Sequence, residues 1–599
     1  MTETCTADLR TATTWIAAFG RALEGSDQSA LRDLFTEDSH WRDLLGITWD
    51  TRQVSGRGGL VERLITTAAR VSPRNLRLSE HHLAPSRQRR TGKEVVEAFF
   101  EFETSYGSAL GLVRLQDPVD GEETGRAWML LTQIESVNGA PSVRRPTRPS
   151  GVGFDKQGGL VNWSARRSWS RDFEDRDPDV LVVGGGHAGV MLAAHLNRLG
   201  VDNLVIDSNS RVGDNWRTRY DALQLHNQTH TVHFPYMPFP ELFPEFIPKD
   251  KLANWFESYV DAMEINFWTS TAFATAERGD DGRWVVPVVR DGVERVLRPR
   301  HLVMTTGGTG VVPHIPKLPG LEAFRGRILH SKEFSSGEEF AGQRVLVAGV
   351  GTSAHDIAQT LVQHDADVTM LQRGTITVTS LESANRVFGQ YALGQPIVDV
   401  DALSALGWIE PVQRINLQLA TAEGNERDAA LLDGLRKAGL RLDDGDDHTG
   451  WIRKFISRGG GYYIDVGGSA LIIDGRVRIL QSSDVTTFTE AGLSRADGVV
   501  EELDAVVLAT GFENQTALVR QQLGDEVADR VGTISGYDDE SEVRNTWRPT
   551  AQAGLYFGAG SLQFCRTMTP LFAMMLRAEL SGLAPTAARD ASALETVSS

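Results

Sequence analysis

The feature that most constrains this chain is a glycine-rich loop between a buried strand and a helix. Residues 179–183, Asp-Val-Leu-Val-Val, form the apolar run that a parallel strand covered on both faces requires. Gly184-Gly185-Gly186-His187-Ala188-Gly189 follows directly and leads into an apolar helix. Gly184 permits the tight turn, Gly186 the close approach of a pyrophosphate, and Gly189 close packing of helix on strand. The sequence therefore predicts a dinucleotide-binding βαβ unit.

A carboxylate ends the second strand of this unit. Asn203–Ile206 is a short apolar run, and Asp207 follows it at the distance from Gly184 that the dinucleotide-binding fingerprint requires. An acid at this place accepts hydrogen bonds from an adenosine ribose, while the free N–H groups at the start of the helix attract the phosphates. The residues predicted to bind this dinucleotide are Gly184, Gly186, His187, Ala188, Gly189, Asp207 and Ser208.

A second unit of the same kind begins at Val345, far downstream of Val180. Its loop is Gly349-Val350-Gly351-Thr352-Ser353-Ala354, with alanine in place of the third glycine. The strand that follows ends in Arg373 rather than an acid, and an arginine can hold a 2′-phosphate in a planar, charge-assisted fork. NADPH is therefore favoured over NADH, and FAD plus NADPH is the simplest pair of ligands for the two units. The residues predicted to bind NADPH are Gly349, Gly351, Thr352, Ser353 and Arg373.

The composition narrows the class of protein further. A chain of 599 residues is too long for one core and predicts several domains of roughly 100–200 residues. The net charge of −18 disfavours nucleic acid and anionic membrane surfaces. Two distant cysteines, Cys5 and Cys565, exclude a disulfide framework and a CxxC redox pair. Because the N-terminus is not signal-like and no apolar run reaches about 20 residues, we expect a cytoplasmic protein with no membrane segment. We also expect no metal site.

The chain is predicted to be an α/β protein with an α+β N-terminal domain. Residues 1–137 carry helix-like runs at Thr14–Phe19 and Ser29–Phe35, then strand-like runs at Val95–Glu103, Ala109–Leu115 and Ala127–Glu135. Residues 138–177, rich in proline, glycine, serine and arginine, including Pro146, Pro149 and Gly151, are interpreted as a linker.

The two dinucleotide-binding units are predicted to be nested. We assign residues 178–334 and 503–599 to a discontinuous FAD-binding domain and residues 335–502 to an NADPH-binding domain. The polar, acidic stretch at about 383–447 is interpreted as a helical insertion in the second domain.

The most specific pattern lies between the two glycine loops. Phe324-Arg325-Gly326-Arg327-Ile328-Leu329-His330-Ser331-Lys332-Glu333-Phe334 matches the signature FxGxxxHxxx(Y/F), and Gly213–Arg217 and Leu508–Phe512 resemble a flavin-proximal loop and an ATG motif. The region Pro178–Pro585 thus resembles the class B flavin monooxygenases, which comprise the flavin-containing monooxygenases, the Baeyer–Villiger monooxygenases and the YUCCA group. Phe334 replaces the tryptophan usual in Baeyer–Villiger enzymes and favours the flavin-containing branch. The N-terminal region, residues 1–137, resembles a nuclear-transport-factor-2-like (SnoaL-like) cone, a fusion found in type II members.

The resemblance implies a mechanism and further site residues. NADPH would reduce FAD, which would form a C4a-(hydro)peroxyflavin with O2 and oxygenate a small organic substrate at nitrogen, sulfur or a ketone carbon. His226 stands where many members carry asparagine, whereas YUCCA-like relatives also carry histidine there. Asn227 is next to it, and Arg566 lies near the family's C-terminal active-site return. The predicted catalytic residues are His226, Asn227 and Arg566. The further predicted cofactor contacts are Asn215, Trp216, His226, Thr510 and Gly511.

Several alternatives remain at this point. A histidine satisfied within its loop is the other interpretation of His226, and a structural ion pair that of Arg566. The chain could also be an NADPH oxidase or flavin reductase that releases hydrogen peroxide, or a binding protein that retains cofactors without turnover. The N-terminal domain is expected to be a structural or dimerisation module rather than a substrate lid or a small-molecule pocket, although His40 and Asp43 could form an acid–base pair. The expected partners are a small-molecule substrate and O2, with a homodimer left open.

Overall fold

The computed structural model of the protein describes residues 3–118, 124–144, 162–307 and 311–585. Pro146, Pro149 and Gly151 of the predicted linker lie outside these ranges. Within them, no helix combines the length and the apolar character needed to cross a membrane.

The N-terminal unit is a seven-stranded sheet with three helices. The helices are α1 Glu3–Glu24, α2 Gln28–Asp33 and α3 Arg57–Val71; the strands are β1 Phe35–Leu44, β2 Thr51–Ser55, β3 Arg74–Leu78, β4 Ser86–Arg90, β5 Lys93–Glu103, β6 Gly107–Gln116 and β7 Arg126–Val137. The strand order is β2-β1-β7-β6-β5-β3, with β4 paired to β5, and β1–β7 is a parallel pair. The three strand-like runs predicted here are confirmed, whereas the predicted second helix ends at Asp33 and Phe35 begins β1.

Aromatic side chains fill the interior of this unit. The ring of Trp15 lies 4.7 Å from that of Phe19, 5.9 Å from Phe35 and 6.2 Å from Phe100, measured between centroids. All four side chains are almost fully buried. These four rings therefore form part of the apolar core of the N-terminal unit.

His40 and Asp43 do not form an acid–base pair. Both lie on β1, where residues three apart point to opposite faces of the sheet. The ring of His40 is 2.9 Å from Ser55 Oγ. Asp43 is fully buried and accepts hydrogen bonds from the hydroxyls of Thr48 and Thr132 and from two backbone N–H groups. Burial raises the pKa of Asp43 to about 6, and its contacts fix the loop after β1.

The remaining elements follow in chain order. They are α4 Trp163–Asp172, β8 Val180–Val183, α5 His187–Arg198, β9 Asn203–Ile206, α6 Asp214–Arg217, α7 Lys249–Ala262, β10 Phe267–Trp268, β11 Thr271–Phe273, β12 Glu277–Arg278, β13 Trp284–Arg290, β14 Val293–Leu297, β15 His301–Met304, β16 Arg327–His330, β17 Arg344–Ala348, α8 Thr352–Gln363, β18 Asp367–Gln372, β19 Ile376–Ser380, α9 Leu381–Asn385, α10 Ile397–Gly407, α11 Val412–Arg427, α12 Ala429–Lys437, β20 Leu442–Asp443, α13 Gly450–Arg458, β21 Tyr462–Asp465, α14 Gly468–Ile473, β22 Val477–Gln481, β23 Val485–Thr489, β24 Gly492–Arg495, β25 Val500–Glu502, β26 Ala505–Leu508, α15 Gln515–Leu523, α16 Asp525–Val531, β27 Leu555–Phe557 and α17 Leu562–Leu580.

The predicted linker ends in a helix. The side chain of Asn162 caps the N-terminus of α4 by accepting a hydrogen bond from the Ala165 N–H at 2.8 Å. Arg167 then fixes the helix to the following unit through the side chain of Asn266 at 2.5 Å. The segment interpreted as a linker, residues 138–177, therefore contains a helix at Trp163–Asp172, none of whose residues is buried.

The first glycine loop belongs to a five-stranded parallel sheet with the order β10-β9-β8-β15-β27. All four neighbouring pairs are parallel, and β8 and β9 are buried along their whole length. This is the Rossmann order, in which the ligand crevice opens at the carboxyl ends of the central strands.

The second glycine loop belongs to another five-stranded parallel sheet, with the order β16-β26-β17-β18-β22. Together the two sheets confirm the predicted α/β fold class with two Rossmann-type units. The sheet differs from the predicted domain boundaries, because β16 and β26 pair with each other and β26 pairs with β17. Residues 327–330 and 505–508 therefore lie in the second unit, although we predicted them in the first. Gly326 permits this, since a Cβ there would come within 2.5 Å of the Asp504 carbonyl oxygen.

The predicted helical insertion spans α9 to α12 and packs against the N-terminal unit through α10. One continuous hydrophobic cluster includes Trp41 and Leu130 of the N-terminal sheet, Leu406 of α10, Leu192 of α5 and Met574 of α17. The second dinucleotide unit has a separate cluster. The N-terminal unit thus shares its core with the first dinucleotide unit.

Candidate active site

The first glycine loop presents uncapped N–H groups at the start of α5. Gly184 has a φ of 108°, and a Cβ there would come within 2.5 Å of the Thr305 carbonyl oxygen. No side chain caps the helix, which begins after Gly186. The first-turn N–H groups, residues 187–189, have no partner within the helix. The loop therefore fits the phosphates of a dinucleotide.

Asp207 lies beside this loop. Its Oδ2 accepts a hydrogen bond of 2.6 Å from the Gly185 N–H, and its Oδ1 accepts two of 2.8 Å from Asn209. A carboxylate has about four acceptor positions, so one remains for a ribose hydroxyl. Ser208 next to it is exposed, and Asn215 Nδ2 lies 3.4 Å from where a Cβ of Gly186 would stand.

The second glycine loop repeats this geometry. Gly349 has a φ of 130°, and a Cβ there would collide with the Ala509 carbonyl oxygen. Helix α8 also begins without a side-chain cap, directly after Gly351, with Thr352 and Ser353 in its first turn. A Cβ on Gly351 would meet no atom within 4 Å, so its surroundings are open. This open, uncapped helix start fits a second dinucleotide.

Two arginines meet where the second unit would hold a 2′-phosphate. Arg373 follows β18, and Arg441 donates a hydrogen bond of 2.9 Å to the Arg373 carbonyl oxygen. Both residues are exposed, and neither guanidinium has an acidic partner within the described part of the chain. In a protein with a net charge of −18, two adjacent unpaired cations favour an anionic ligand. Sequence reasoning missed Arg441, which lies in the insertion, far along the chain from Arg373.

Residues 213–233 connect the two units, and we call them the bridging segment. At one end Asn215 lies over the first glycine loop. In the middle, the Tyr220 hydroxyl donates a hydrogen bond to the carboxylate of Asp356 on α8, and both groups are buried. At the other end Arg566 of α17 binds the carbonyl oxygen of Thr231. The segment therefore contacts the first glycine loop, helix α8 of the second unit, and helix α17.

The bridging segment carries His226 and Asn227. Asn385 of α9 donates a hydrogen bond of 2.8 Å to the His226 carbonyl oxygen and accepts one from the Gln228 N–H. The imidazole of His226 and the amide of Asn227 make no hydrogen bond within the described residues. Burial lowers the pKa of His226, so the ring is neutral at pH 7. No described residue of its own loop therefore binds the ring, and the catalytic role of His226 stays a prediction.

Arg566 lies in a structural ion pair. Its Nε and Nη2 bind both carboxylate oxygens of Asp401 at 3.0 and 2.8 Å, and its Nη1 donates to the carbonyl oxygens of Thr231 and His233. The side chains of the pair are 6% and 7% exposed. Since its donors are committed to the protein, we replace the predicted catalytic role of Arg566 by that of a residue that positions the bridging segment.

His187 and Trp216 are two further polar side chains at the site. His187 Nε2 donates a hydrogen bond of 2.9 Å to the Gly560 carbonyl oxygen, which joins the first glycine loop to the start of α17. Trp216 Nε1 is buried without a hydrogen-bond partner in the described chain. A buried unpaired donor of this kind fits a polar ligand group, because leaving it unpaired costs free energy.

Thr510 and Gly511 lie at the end of β26 beside the signature histidine. The Thr510 hydroxyl donates to the His314 carbonyl oxygen at 2.6 Å, and His330 Nε2 donates to the Gly511 carbonyl oxygen at 3.0 Å. Phe334, the last residue of the signature, is buried against Phe340. The signature therefore anchors the second sheet to the loop that follows it.

The site depends on several residues that sequence reasoning did not find. They are Tyr220, Asp356, Asn385, Tyr391, Asp401 and Arg441. Each is a polar residue outside the motifs themselves, and its role comes from a partner that no local pattern records. One available signal was an acidic residue within an otherwise apolar stretch, such as Asp399 and Asp401 in Ile397–Leu403.

The comparisons with known proteins agree with this geometry. The model of the flavin-binding monooxygenase-like family matches residues 210–385, and an FAD binding domain model matches residues 177–224. The rice (Oryza sativa subsp. japonica) indole-3-pyruvate monooxygenase YUCCA1 is 32% identical over 350 residues, which cover 58% of this chain and 80% of the relative. The chain belongs to the flavin-binding monooxygenase-like family. It is thus a class B flavin monooxygenase, an enzyme that depends on FAD.

Other flavin monooxygenases give similar matches. The probable indole-3-pyruvate monooxygenase YUCCA4 of Arabidopsis thaliana is 30% identical over 341 residues, 56% of this chain and 76% of the relative. Among solved structures, cyclohexanone monooxygenase with bound ε-caprolactone has a TM-score of 0.49 at 18% identity, covering 69% of this chain and 88% of that one. A flavin-containing monooxygenase from Stenotrophomonas maltophilia has a TM-score of 0.45 at 17% identity, with coverages of 68% and 99%.

Proposed function

We propose that the protein is an NADPH-dependent flavin monooxygenase that transfers one oxygen atom of O2 to a small organic substrate, at nitrogen, sulfur or a ketone carbon. The observation that carries this proposal is the bridging segment, which contacts both dinucleotide units and α17. It presents a neutral histidine whose ring has no hydrogen-bond partner among the described residues. Oxygen transfer needs two cofactors and a group that donates or accepts a proton in one site from which water is excluded.

The two units differ in the charge that faces the adenosine end of a ligand. Asp207 ends the second strand of the first unit, which suits the ribose of FAD, whereas Arg373 and Arg441 stand at the corresponding place in the second. An acid repels a 2′-phosphate, and an arginine pair attracts it. This difference supports FAD on the first unit and NADPH on the second.

The chemistry that bound FAD would supply is the acceptance of a hydride from NADPH and, in the reduced form, reaction with O2. The chain supplies the surroundings. The α5 and α8 N-termini hold phosphates, and Asp207 orients a ribose. His226, neutral because burial lowers its pKa, can accept or hold a proton at either ring nitrogen, and Asn227 adds an uncharged donor beside it.

The substrate class is tested with a panel that spans the proposed chemistry. The panel comprises a tertiary amine, a thioether, a cyclic ketone and indole-3-pyruvate, the last because the rice relative is named for it. The purified, FAD-loaded protein is mixed with NADPH and isotopically labelled O2, and NADPH consumption, hydrogen peroxide and labelled product are measured together. An accepted substrate should lower the peroxide released per NADPH and yield a product with one labelled oxygen atom.

Two other results of that measurement would contradict the proposal. Peroxide equal to NADPH consumed with every substrate would identify an NADPH oxidase. No NADPH consumption above the rate without protein would identify a cofactor-binding protein without turnover.

The NADPH site is tested separately with Gly351→Ala. Because a Cβ at this position meets nothing within 4 Å, the variant should fold and bind FAD normally. NADPH should bind at least tenfold more weakly, since the methyl group would occupy the space in which the pyrophosphate approaches the backbone. Gly58→Ala is the matched control, because its Cβ also meets nothing. Unchanged NADPH affinity in Gly351→Ala would contradict the assigned site.

A further inference from the structure

Helix α10 lies between the N-terminal unit and α17. Seven of its residues are buried, including two aspartates, Asp399 and Asp401. At 100° per residue, positions two apart in a helix point to nearly opposite sides. The two carboxylates therefore face different partners, one on each side of the helix.

The N-terminal unit holds the first turn of α10. His82 Nδ1 donates a hydrogen bond of 2.6 Å to Asp399 Oδ1, and the Leu83 N–H donates to Asp399 Oδ2 at 2.9 Å. The His82 and Asp399 side chains are 3% and 1% exposed. The His82 ring also stacks on Phe99 of β5, with 5.1 Å between centroids. This first contact is thus buried and fixed from two directions.

The N-terminal unit holds the last turn of α10 as well. Arg42 Nη1 donates a hydrogen bond of 2.9 Å to the Ala405 carbonyl oxygen. The same guanidinium binds both carboxylate oxygens of Glu542 at 2.6 and 2.8 Å. Gln53 of β2 accepts a hydrogen bond from the Glu410 N–H just beyond the helix. Both ends of α10 are therefore attached to the N-terminal unit, the first turn to the loop between β3 and β4 and the last turn to β1.

The opposite side of α10 faces the bridging segment. Asp401 binds the Arg566 guanidinium and accepts a hydrogen bond of 2.7 Å from the Tyr391 hydroxyl. Arg566 in turn donates to the carbonyl oxygens of Thr231 and His233. Buried polar contacts on the two sides of α10 thus connect His82, through the helix, to the segment that carries His226.

We propose that His82 is a positioning residue for the bridging segment, acting through Asp399, α10 and the Asp401–Arg566 pair. The N-terminal domain then serves oxygenation by fixing the backbone around His226, a purpose that rests on the proposed function. The coupling between His82 and the bridging segment does not rest on the proposed function, because it is a property of the folded chain. It needs no ligand in the N-terminal unit.

Amide hydrogen exchange of the FAD-loaded protein without NADPH tests the coupling. The Thr229, Thr231 and Val232 N–H groups are hydrogen-bonded and report on the segment. His82→Ala should make them exchange about tenfold faster, which corresponds to losing one charge-assisted buried hydrogen bond. His82→Asn, whose side-chain amide can replace Nδ1, should restore most of the protection. Arg77→Ala, which breaks an exposed ion pair with Glu101 in the same domain, should leave it unchanged.

A purely structural role predicts a different pattern. In that case His82→Ala speeds exchange in α10 alone, or equally throughout the chain, and either result overturns the proposal. A double-mutant cycle with Asp401→Asn adds a second criterion, since two changes in one series of contacts should not add. Additive effects on the three amides would also overturn it.

NADPH turnover supplies the functional readout. In His82→Ala the Km for NADPH should stay within about twofold, because the second unit is untouched, while peroxide released per NADPH in the presence of an accepted substrate should rise severalfold. If the wild-type protein oxygenates no substrate, the proposed function fails but the exchange result still decides the coupling. If it does oxygenate and His82→Ala exchanges faster with unchanged peroxide release, the positioning role in oxygenation is wrong.

Discussion

The side-chain amide of Asn385, at the end of α9, donates a hydrogen bond of 2.8 Å to the carbonyl oxygen of His226. The donor belongs to the insertion of the second dinucleotide unit, and the acceptor lies in the bridging segment. One short contact therefore fixes the backbone beside the unpaired imidazole from across the interface of the two units.

Replacing Asn385 should disturb oxygenation more than cofactor binding. Asn385→Ala removes the two hydrogen bonds to the bridging segment and a third to the Leu381 carbonyl oxygen, at a cost of about 1–3 kcal/mol for the groups left unpaired. Asn385→Asp keeps an acceptor for the Gln228 N–H but loses the donor to His226 and places a negative charge near its carbonyl oxygen. We expect both variants to retain FAD and to release more peroxide per NADPH.

The control for these variants is Asn138→Ala. It also removes a bond from an asparagine amide to a backbone carbonyl oxygen, that of Ser105, but at an exposed place in the N-terminal unit. Its peroxide yield should equal that of the wild type. A normal peroxide yield in Asn385→Asp would show that the donor to His226 is dispensable.

The preference for NADPH should depend on two arginines rather than one. Arg373→Ala and Arg441→Ala should each reduce the ratio of kcat/Km for NADPH to that for NADH by about tenfold, because each removes a charge-assisted contact with a 2′-phosphate. Arg436→Ala, an exposed arginine paired with Asp433 on α12, should leave the ratio unchanged. A ratio that responds to neither variant would contradict the assignment of the phosphate site.

The Arg566–Asp401 pair should behave as a buried structural ion pair. Arg566→Ala leaves the Asp401 carboxylate buried without its partner and should lower the free energy of unfolding by about 3–5 kcal/mol. The double variant Arg566→Met with Asp401→Leu should lose less, since no charge is left unpaired. Chemical denaturation of the three proteins measures the difference. If the double variant is as unstable as the single one, the stability arises elsewhere.

His355 should make the second unit sensitive to acid. Its ring is fully buried and stacked on Tyr463 at 3.8 Å, and burial lowers its pKa to about 4. Because the pKa is lower in the folded state than the usual 6.5, the stabilising contribution of the neutral ring is complete above pH 6.5 and is lost as the pH falls through about 4. His355→Phe keeps the stacking and removes the titration. The difference in unfolding free energy between wild type and variant should change by roughly 3 kcal/mol over that window, and a constant difference would contradict the lowered pKa.

Much of the fold could be predicted from the sequence because local patterns carry it. Buried strands, glycine loops and the Phe324–Phe334 signature are contiguous, and each element forms where its pattern lies. The domain boundaries were less accessible. Strands β16 and β26 join the second sheet by pairing with each other from distant parts of the chain, which no local pattern records.

The candidate site was predictable only in part. Loop residues such as Gly184 and Gly349 follow from backbone geometry that a motif encodes. Arg566 was found, but its partner Asp401 lies far away along the chain and the sequence does not show that they meet. The choice between a catalytic and a structural arginine was therefore open until that contact was known. His40 and Asp43 were grouped by proximity along the chain, although strand geometry turns them apart.

The shared core of the N-terminal unit and α17 has a consequence for how the protein can be divided. Trp41, Leu130 and Met574 belong to one apolar cluster, so cutting the chain before residue 178 would expose a hydrophobic surface on the remaining part. The two regions should unfold in a single transition and resist exchange with domains from other enzymes. The N-terminal unit is therefore an integral part of the core of the first dinucleotide unit rather than a separately folding domain.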